Sequence, residues 1–227
     1  MRAEYEMSVP FPNVVAHEFL TPGFLDEVIE SLPTYELACR VGRVFTGKRE
    51  RNKVQLSDRS LFPGPVTDLL ELLISDDFVQ MLREVTGMPL IADPGFLGGG
   101  IHMTPAGGRL DVHVDFNYVP EKRLFRRLNL LLFLNRGWSE SWGGQLELWD
   151  RGVRCCERTI NPSANTCVFF ETSDHSFHGV TEVTCPKDET RKSFAMYYYS
   201  ESQPPDWNGR VHDTVFMDRP GEENQVD

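Results

Sequence analysis

"RLDVHVDFN", residues 109–117, alternates: Leu110, Val112 and Val114 fall on one side of an extended chain, His113 and Asp115 on the other. That is the period-2 pattern of a half-buried strand. Same-face neighbours stand roughly 7 Å apart at their bases, close enough for an imidazole and a carboxylate to meet at one ion. A polar strand face in water is the commoner use of such a pair, so the rest of the chain decides.

From about residue 90 short apolar or alternating runs follow one another between Gly, Pro and Asn: "FLGGGIHM", "RLDVHVDF", "RLNLLLFLN", "GQLELWD", "NTCVFFET", "HGVTEV" and "SFAMYYYS". Seven strands at such intervals predict a mainly β fold, a sandwich or jelly roll. Upstream the periodicity is helical. "TPGFLDEVIESLP" has Thr21 at its cap, Pro22 at the first helical position and Pro33 as a stop. "GPVTDLLELLISDDFVQMLREVTG" repeats Leu, Phe and Met at helical spacing, with a break capped by Ser75 and a close at Gly87. The expected organisation is one domain: helices and flanking strands over 1–89, a β core over 90–200, and an extension over 201–227. In that extension "HDTVF" should pack back on the core, ahead of an acidic, disordered tail.

The 227 residues carry a formal net charge of −11, which opposes non-specific attraction to phosphate, so nucleic acid is not an expected partner. Five cysteines without CxxC spacing and an N-terminus without an apolar signal core point to the cytoplasm. The longest apolar run, "LNLLLFLN", is too short to span a bilayer, so no membrane partner is expected.

A third ligand for His113 and Asp115 has to come from elsewhere. Of His17, His102, His175, His178 and His212, His178 in "FHGV" opens a strand on the far side of the β region, where a closing jelly roll returns it to the first strand. Two imidazoles and one carboxylate leave about half an octahedral shell open, which suits non-haem Fe(II), with zinc as the competitor. Further on, Arg191 and Ser193 share one face of "RKSFAMYYYS". An arginine in a buried strand needs a counter-charge, and a dicarboxylate ligand would supply one through the guanidinium fork.

The order HxD, "LNLLLFLN", "WGGQLELWD", "VFFETSDHSFHGV", "RKSFAMYYYS" resembles the Fe(II)/2-oxoglutarate-dependent dioxygenases of the prolyl 4-hydroxylase-like branch, over roughly residues 96–200. The resemblance implies a double-stranded β-helix with flanking helices. It implies His113, Asp115 and His178 as iron ligands, Arg191 and Ser193 on the distal carboxylate of 2-oxoglutarate, and a cofactor set of Fe(II), 2-oxoglutarate and O2 with ascorbate as a stimulant. It places Arg127, Asn129, Leu131 and Phe133 on the face looking into the barrel, with Asn129 as a polar contact to the co-substrate. Phe133 stands where relatives often carry a tyrosine touching 2-oxoglutarate, and His102 either replaces that support or packs in the core. The implied reaction couples decarboxylation of 2-oxoglutarate to succinate with hydroxylation of an unactivated C–H bond.

The expected substrate is a small molecule, an amino acid or a short peptide, with a protein proline as the alternative. Strand alternation in "KRERNKVQLSD" would place Arg49, Arg51, Lys53 and Gln55 on one face, a cationic stripe able to steer an anionic substrate to the barrel mouth. Arg127 is a further basic candidate. The rivals are a cupin-like binding protein that consumes no 2-oxoglutarate and a zinc enzyme with no O2 dependence.

Overall fold

The structure, a computed structural model, describes residues 2–93 and 96–222. The expected disordered tail from residue 223 on lies outside them.

Five helices come from the first 86 residues: α1 (Arg2–Met7), α2 (Pro22–Ser31), α3 (Tyr35–Val41), α4 (Gly64–Ile74) and α5 (Asp76–Thr86). Pro22 starts α2, but the Thr21 side chain makes no capping bond. Ser75 ends α4 and caps α5 by accepting from the Phe78 amide, and Gly87 closes α5 in the left-handed conformation. This is the break that the sequence predicts. The short α1 and α3 escape sequence reading because each has too few turns to show a period.

The strands are β1 (Asn13–Ala16), β2 (Arg43–Thr46), β3 (Glu50–Leu56), β4 (Ile91–Ala92), β5 (Gly100–Pro105), β6 (Arg109–Val114), β7 (Tyr118–Val119), β8 (Leu124–Phe133), β9 (Leu146–Trp149), β10 (Cys156–Ile160), β11 (Cys167–Glu171), β12 (His178–Val180), β13 (Thr190–Ser200) and β14 (Val215–Phe216). The main path runs β1-β11-β8-β13-β5-β3-β6-β12-β9-β10, and these neighbours pair antiparallel. The path turns at β3, whose Val54–Leu56 pairs with β5 while Glu50 and Arg51 pair with β6. Two curled antiparallel layers joined there make the double-stranded β-helix.

Alternation on the central strands feeds two cores. Leu128, Leu130, Leu132, Phe194, Met196 and Tyr198 pack outward against Leu69, Leu70, Leu73 and Leu82 of the helices. Phe133, Leu146, Leu148, Val168 and Phe170 fill the space between the layers. At roughly 1.5–3 kcal/mol for each fully buried large apolar side chain, burial on both faces is what holds the barrel against its helices.

Two local departures from strict alternation matter. In β8 the ladder to β13 pairs Leu128 with Tyr198 and Arg126 with Tyr199, so Arg127 is an extra residue in a bulge. In β3, Asn52 has φ 56°, and the ladder to β2 skips it. The "HDTVF" segment does pack back: β14 pairs with β6, setting Val215 opposite Val114 and Phe216 opposite His113.

Candidate active site

His113 and His178 are direct cross-strand partners on β6 and β12, with ring centroids 4.2 Å apart. Asp115 follows the end of β6. Its two carboxylate oxygens each lie 3.6 Å from one imidazole Nε2, Oδ1 from His113 and Oδ2 from His178. One ligand atom from each residue fits within 4.8 Å of the other two. Nδ1 of His113 lies 2.9 Å from the Asp111 carbonyl, and Nδ1 of His178 lies 2.9 Å from the Ser176 carbonyl. Each Nδ1 therefore donates outward and leaves the Nε2 lone pair aimed at the centre, the usual arrangement of ligating histidines.

The electrostatics agree. Burial, helped by His113, pushes the His178 pKa down to about 3, so its imidazole is neutral. Burial alone would raise the Asp115 pKa, but it is outweighed, with the Arg126 guanidinium foremost, and the carboxyl is held well below its ordinary range. Arg126 Nη2 lies 3.0 Å from Asp115 Oδ2, which also accepts from Asn129 Nδ2 at 2.8 Å. Arg126 in turn donates to Asn129 Oδ1 and stacks 3.6 Å from the Tyr197 ring centroid. Two imidazole nitrogens and one pre-oriented carboxylate form the facial donor set of non-haem Fe(II), so the residues present fit that metal.

Arg191 is a buried cation on β13 that lines the same cavity. It is 5% exposed and forms no ion pair among the described residues, and its Nε donates to the Gly144 carbonyl at 2.6 Å. Burial lowers its pKa to about 10. Gly144 has φ 72°, and a Cβ there would lie 2.9 Å from Arg191 Cδ, so glycine is required on both counts. Arg191, Ser193, His102, Asn129 and the three ligands line one cavity of about 220 Å³. His102 is held neutral by burial and by Lys53, its Nε2 3.1 Å from the Gly98 carbonyl.

Several sequence expectations need correction. The β8 bulge turns Arg127 away, where it pairs with Glu171, and puts Arg126 in the cavity. Asn129 lines the cavity, but both ends of its amide are engaged by Asp115 and Arg126. The cationic stripe does not exist. Asn52 breaks the alternation, so Arg49 pairs with Asp218 and Asp111 and Arg51 with Glu182, both outside the cavity. Lys53 faces the cavity instead, 2.5 Å from Glu50. His175 is half-buried beside Arg151. Arg126 and Phe216, whose ring lies 5.5 Å from His113, were missed. The two adjacent arginines were the one available signal for Arg126.

Residues 99–199 match the family model described as "2OG-Fe(II) oxygenase superfamily". The chain is similar to prolyl 3-hydroxylase OGFOD1 of Xenopus laevis, with 28% identity over 78% of this chain and 32% of that protein. It is similar also to prolyl 3-hydroxylase OGFOD1 of Mus musculus, with 34% identity over 62% of this chain and 25% of that protein. It thus spans a third or less of the length of these relatives. Among solved structures, a prolyl hydroxylase of Trichoplax adhaerens in complex with a hypoxia inducible factor peptide superimposes with TM-score 0.62 and 17% identity, covering 83% of this chain and 84% of that one. Residues 99–199, which hold the His113/Asp115/His178 cluster and Arg191, are thus similar to the 2OG-Fe(II) oxygenase superfamily, and the chain resembles its prolyl hydroxylase members.

Proposed function

We propose that the chain hydroxylates a prolyl residue presented by a polypeptide segment. The observation that carries this reading is the size of the cavity. At about 220 Å³ it is smaller than the several hundred Å³ of pockets that enclose a drug-sized ligand, and the co-substrate takes part of it. Room remains for one small ring, and the rest of the substrate must lie outside. Shallow depressions on either side of Phe216, one along residues 43–50 and one along Gly152, Val153, Arg154 and 217–220, suit an extended chain. The similarity to prolyl hydroxylases supports the same choice over a free small molecule.

His113, Asp115 and His178 hold the metal, and Arg191 over Phe133 anchors the distal carboxylate of 2-oxoglutarate, with Ser193 beside it. The chemistry that Fe(II) would supply there is the coupling of 2-oxoglutarate decarboxylation by O2 to oxidation of a substrate C–H bond. The protein's part is to aim three ligands, anchor the co-substrate and shield the centre. All five cysteines are free, which fits a reducing compartment, the cytoplasm in this proposal. No helix of the described residues is long and apolar enough to cross a membrane.

The test is succinate formation from 2-oxoglutarate, scanned over proline-containing peptides, free amino acids and small biosynthetic intermediates. Stimulation by a peptide that gains one oxygen atom on proline is expected. Stimulation by free small molecules alone would overturn the polypeptide reading and leave the reaction class in place.

A further inference from the structure

Between the two strands that carry the histidines, the ladder breaks. His178 pairs with His113, but the next pair is Val180 with Leu110, so Val112 and Asp111 of β6 stand against the single residue Gly179 of β12. A bulge of this kind interrupts the ladder and leaves the strands less well fixed to each other. Here the gap is occupied by a side chain from the segment after β14. Arg219 Nη2 donates to the carbonyls of both Leu110 (3.1 Å) and Val180 (3.2 Å), one on each strand. The same guanidinium donates to Glu147 Oε2 on β9 at 2.7 and 3.0 Å and to Asp111 Oδ1 at 3.3 Å. Gly179 makes the room: a Cβ there would lie 3.1 Å from Arg219 Nη2.

The slot adjoins both ligands. Gly179 follows His178, and the Asp111 carbonyl accepts the Nδ1 proton that orients His113. We infer that Arg219 is a positioning residue of the metal centre: its fork replaces the missing rungs between β6 and β12 and so sets the spacing of His113 and His178. This rests on the reading of His113, Asp115 and His178 as the metal site. Arg49 supplies a contrast. It also reaches Asp111, at 3.4 Å, and pairs with Asp218 of the same C-terminal segment, yet it donates to neither carbonyl.

The experiment measures Mn(II) affinity of the metal-free 227-residue chain by electron paramagnetic resonance, for wild type, Arg219→Gln, Arg219→Lys and Arg49→Gln, with melting temperatures alongside. Loss of a group that orients a ligand typically costs 10–100-fold in metal affinity, and that loss is expected in both Arg219 variants, because lysine keeps the charge but lacks the fork. Arg49→Gln should stay within about fivefold of wild type, the range of a partly exposed ion pair, even if it melts lower. The charge-transfer band of the anaerobic Fe(II)–2-oxoglutarate complex should shift in Arg219→Lys and not in Arg49→Gln. Wild-type Mn(II) affinity in Arg219→Lys, or equal losses in the Arg49 and Arg219 variants, would overturn the inference and leave the metal site standing. Failure of the wild-type protein to bind Mn(II) would remove the metal site itself. If Arg219→Gln does not fold, Arg219→Lys carries the comparison alone.

Discussion

The guanidinium of Arg191 lies over the ring of Phe133, 5.1 Å from its centroid. No carboxylate of the described residues pairs with this cation, so the aromatic face supplies partial compensation until an anion arrives. Phe133→Leu keeps the apolar bulk and removes the π face. The 2-oxoglutarate requirement should rise by about 0.5–2 kcal/mol, roughly 2- to 30-fold, with Mn(II) affinity unchanged. Titration of 2-oxoglutarate into the anaerobic Fe(II) protein reads this directly, and an unaltered midpoint would show that Phe133 only fills space.

Arg191→Met should have a larger effect of the same kind. Losing one partner of a desolvated charge pair costs about 2–5 kcal/mol, so co-substrate binding should weaken by roughly 30-fold or more while metal affinity is kept. Unchanged co-substrate affinity would transfer the role to another cation lining the cavity, with Lys53 the first candidate.

Arg126 and Asp115 form a buried pair, and breaking such a pair by removing one partner costs about 3–5 kcal/mol. Arg126→Met should destabilise the metal-free protein by that order in urea unfolding. In the double variant Arg126→Met/Asp115→Leu both charges are gone, and most of the stability should return. A double variant less stable than the single would show that packing around Arg126, not the stranded carboxylate, sets the cost.

His102 is held neutral in the fold, its pKa well below 6.5 through burial first and Lys53 second. Unfolded, it titrates at the ordinary value. Below pH 6.5 the unfolded chain therefore binds a proton that the folded chain does not, and stability is lost as pH falls; above 6.5 this contribution is constant. Between about pH 6 and pH 5 the unfolding free energy of His102→Asn should fall less steeply than that of wild type, by up to about 1.4 kcal/mol per pH unit. Parallel slopes would mean that His102 titrates normally.

Much of the centre was legible in the chain because period-2 alternation carries it. His113 and Asp115 converge as their spacing requires, Arg191 and Ser193 share the inner face of β13, and Ser75 divides the helical zone where its residue type suggests. What alternation cannot show is where it fails. Arg127 and Asn52 each shift the phase by one residue, and the cause lies in the partner strands, which the local sequence does not display. That single-residue slip exchanged Arg126 for Arg127 and dissolved the basic stripe. Arg219 was out of reach for another reason: its partners on β6, β9 and β12 are distant in sequence, and no periodic pattern joins them.

The β8 bulge also changes how related chains should be aligned. Arg126 and Asn129 share the cavity face at an R-x-x-N spacing, whereas an unbulged strand would need R-x-N to bring the same two side chains together. A gapless alignment between a bulged and an unbulged strand would place the cavity arginine of one in the column of an outward-facing residue of the other. In this chain the R-x-x-N spacing is therefore the mark that the bulge leaves in the amino acids.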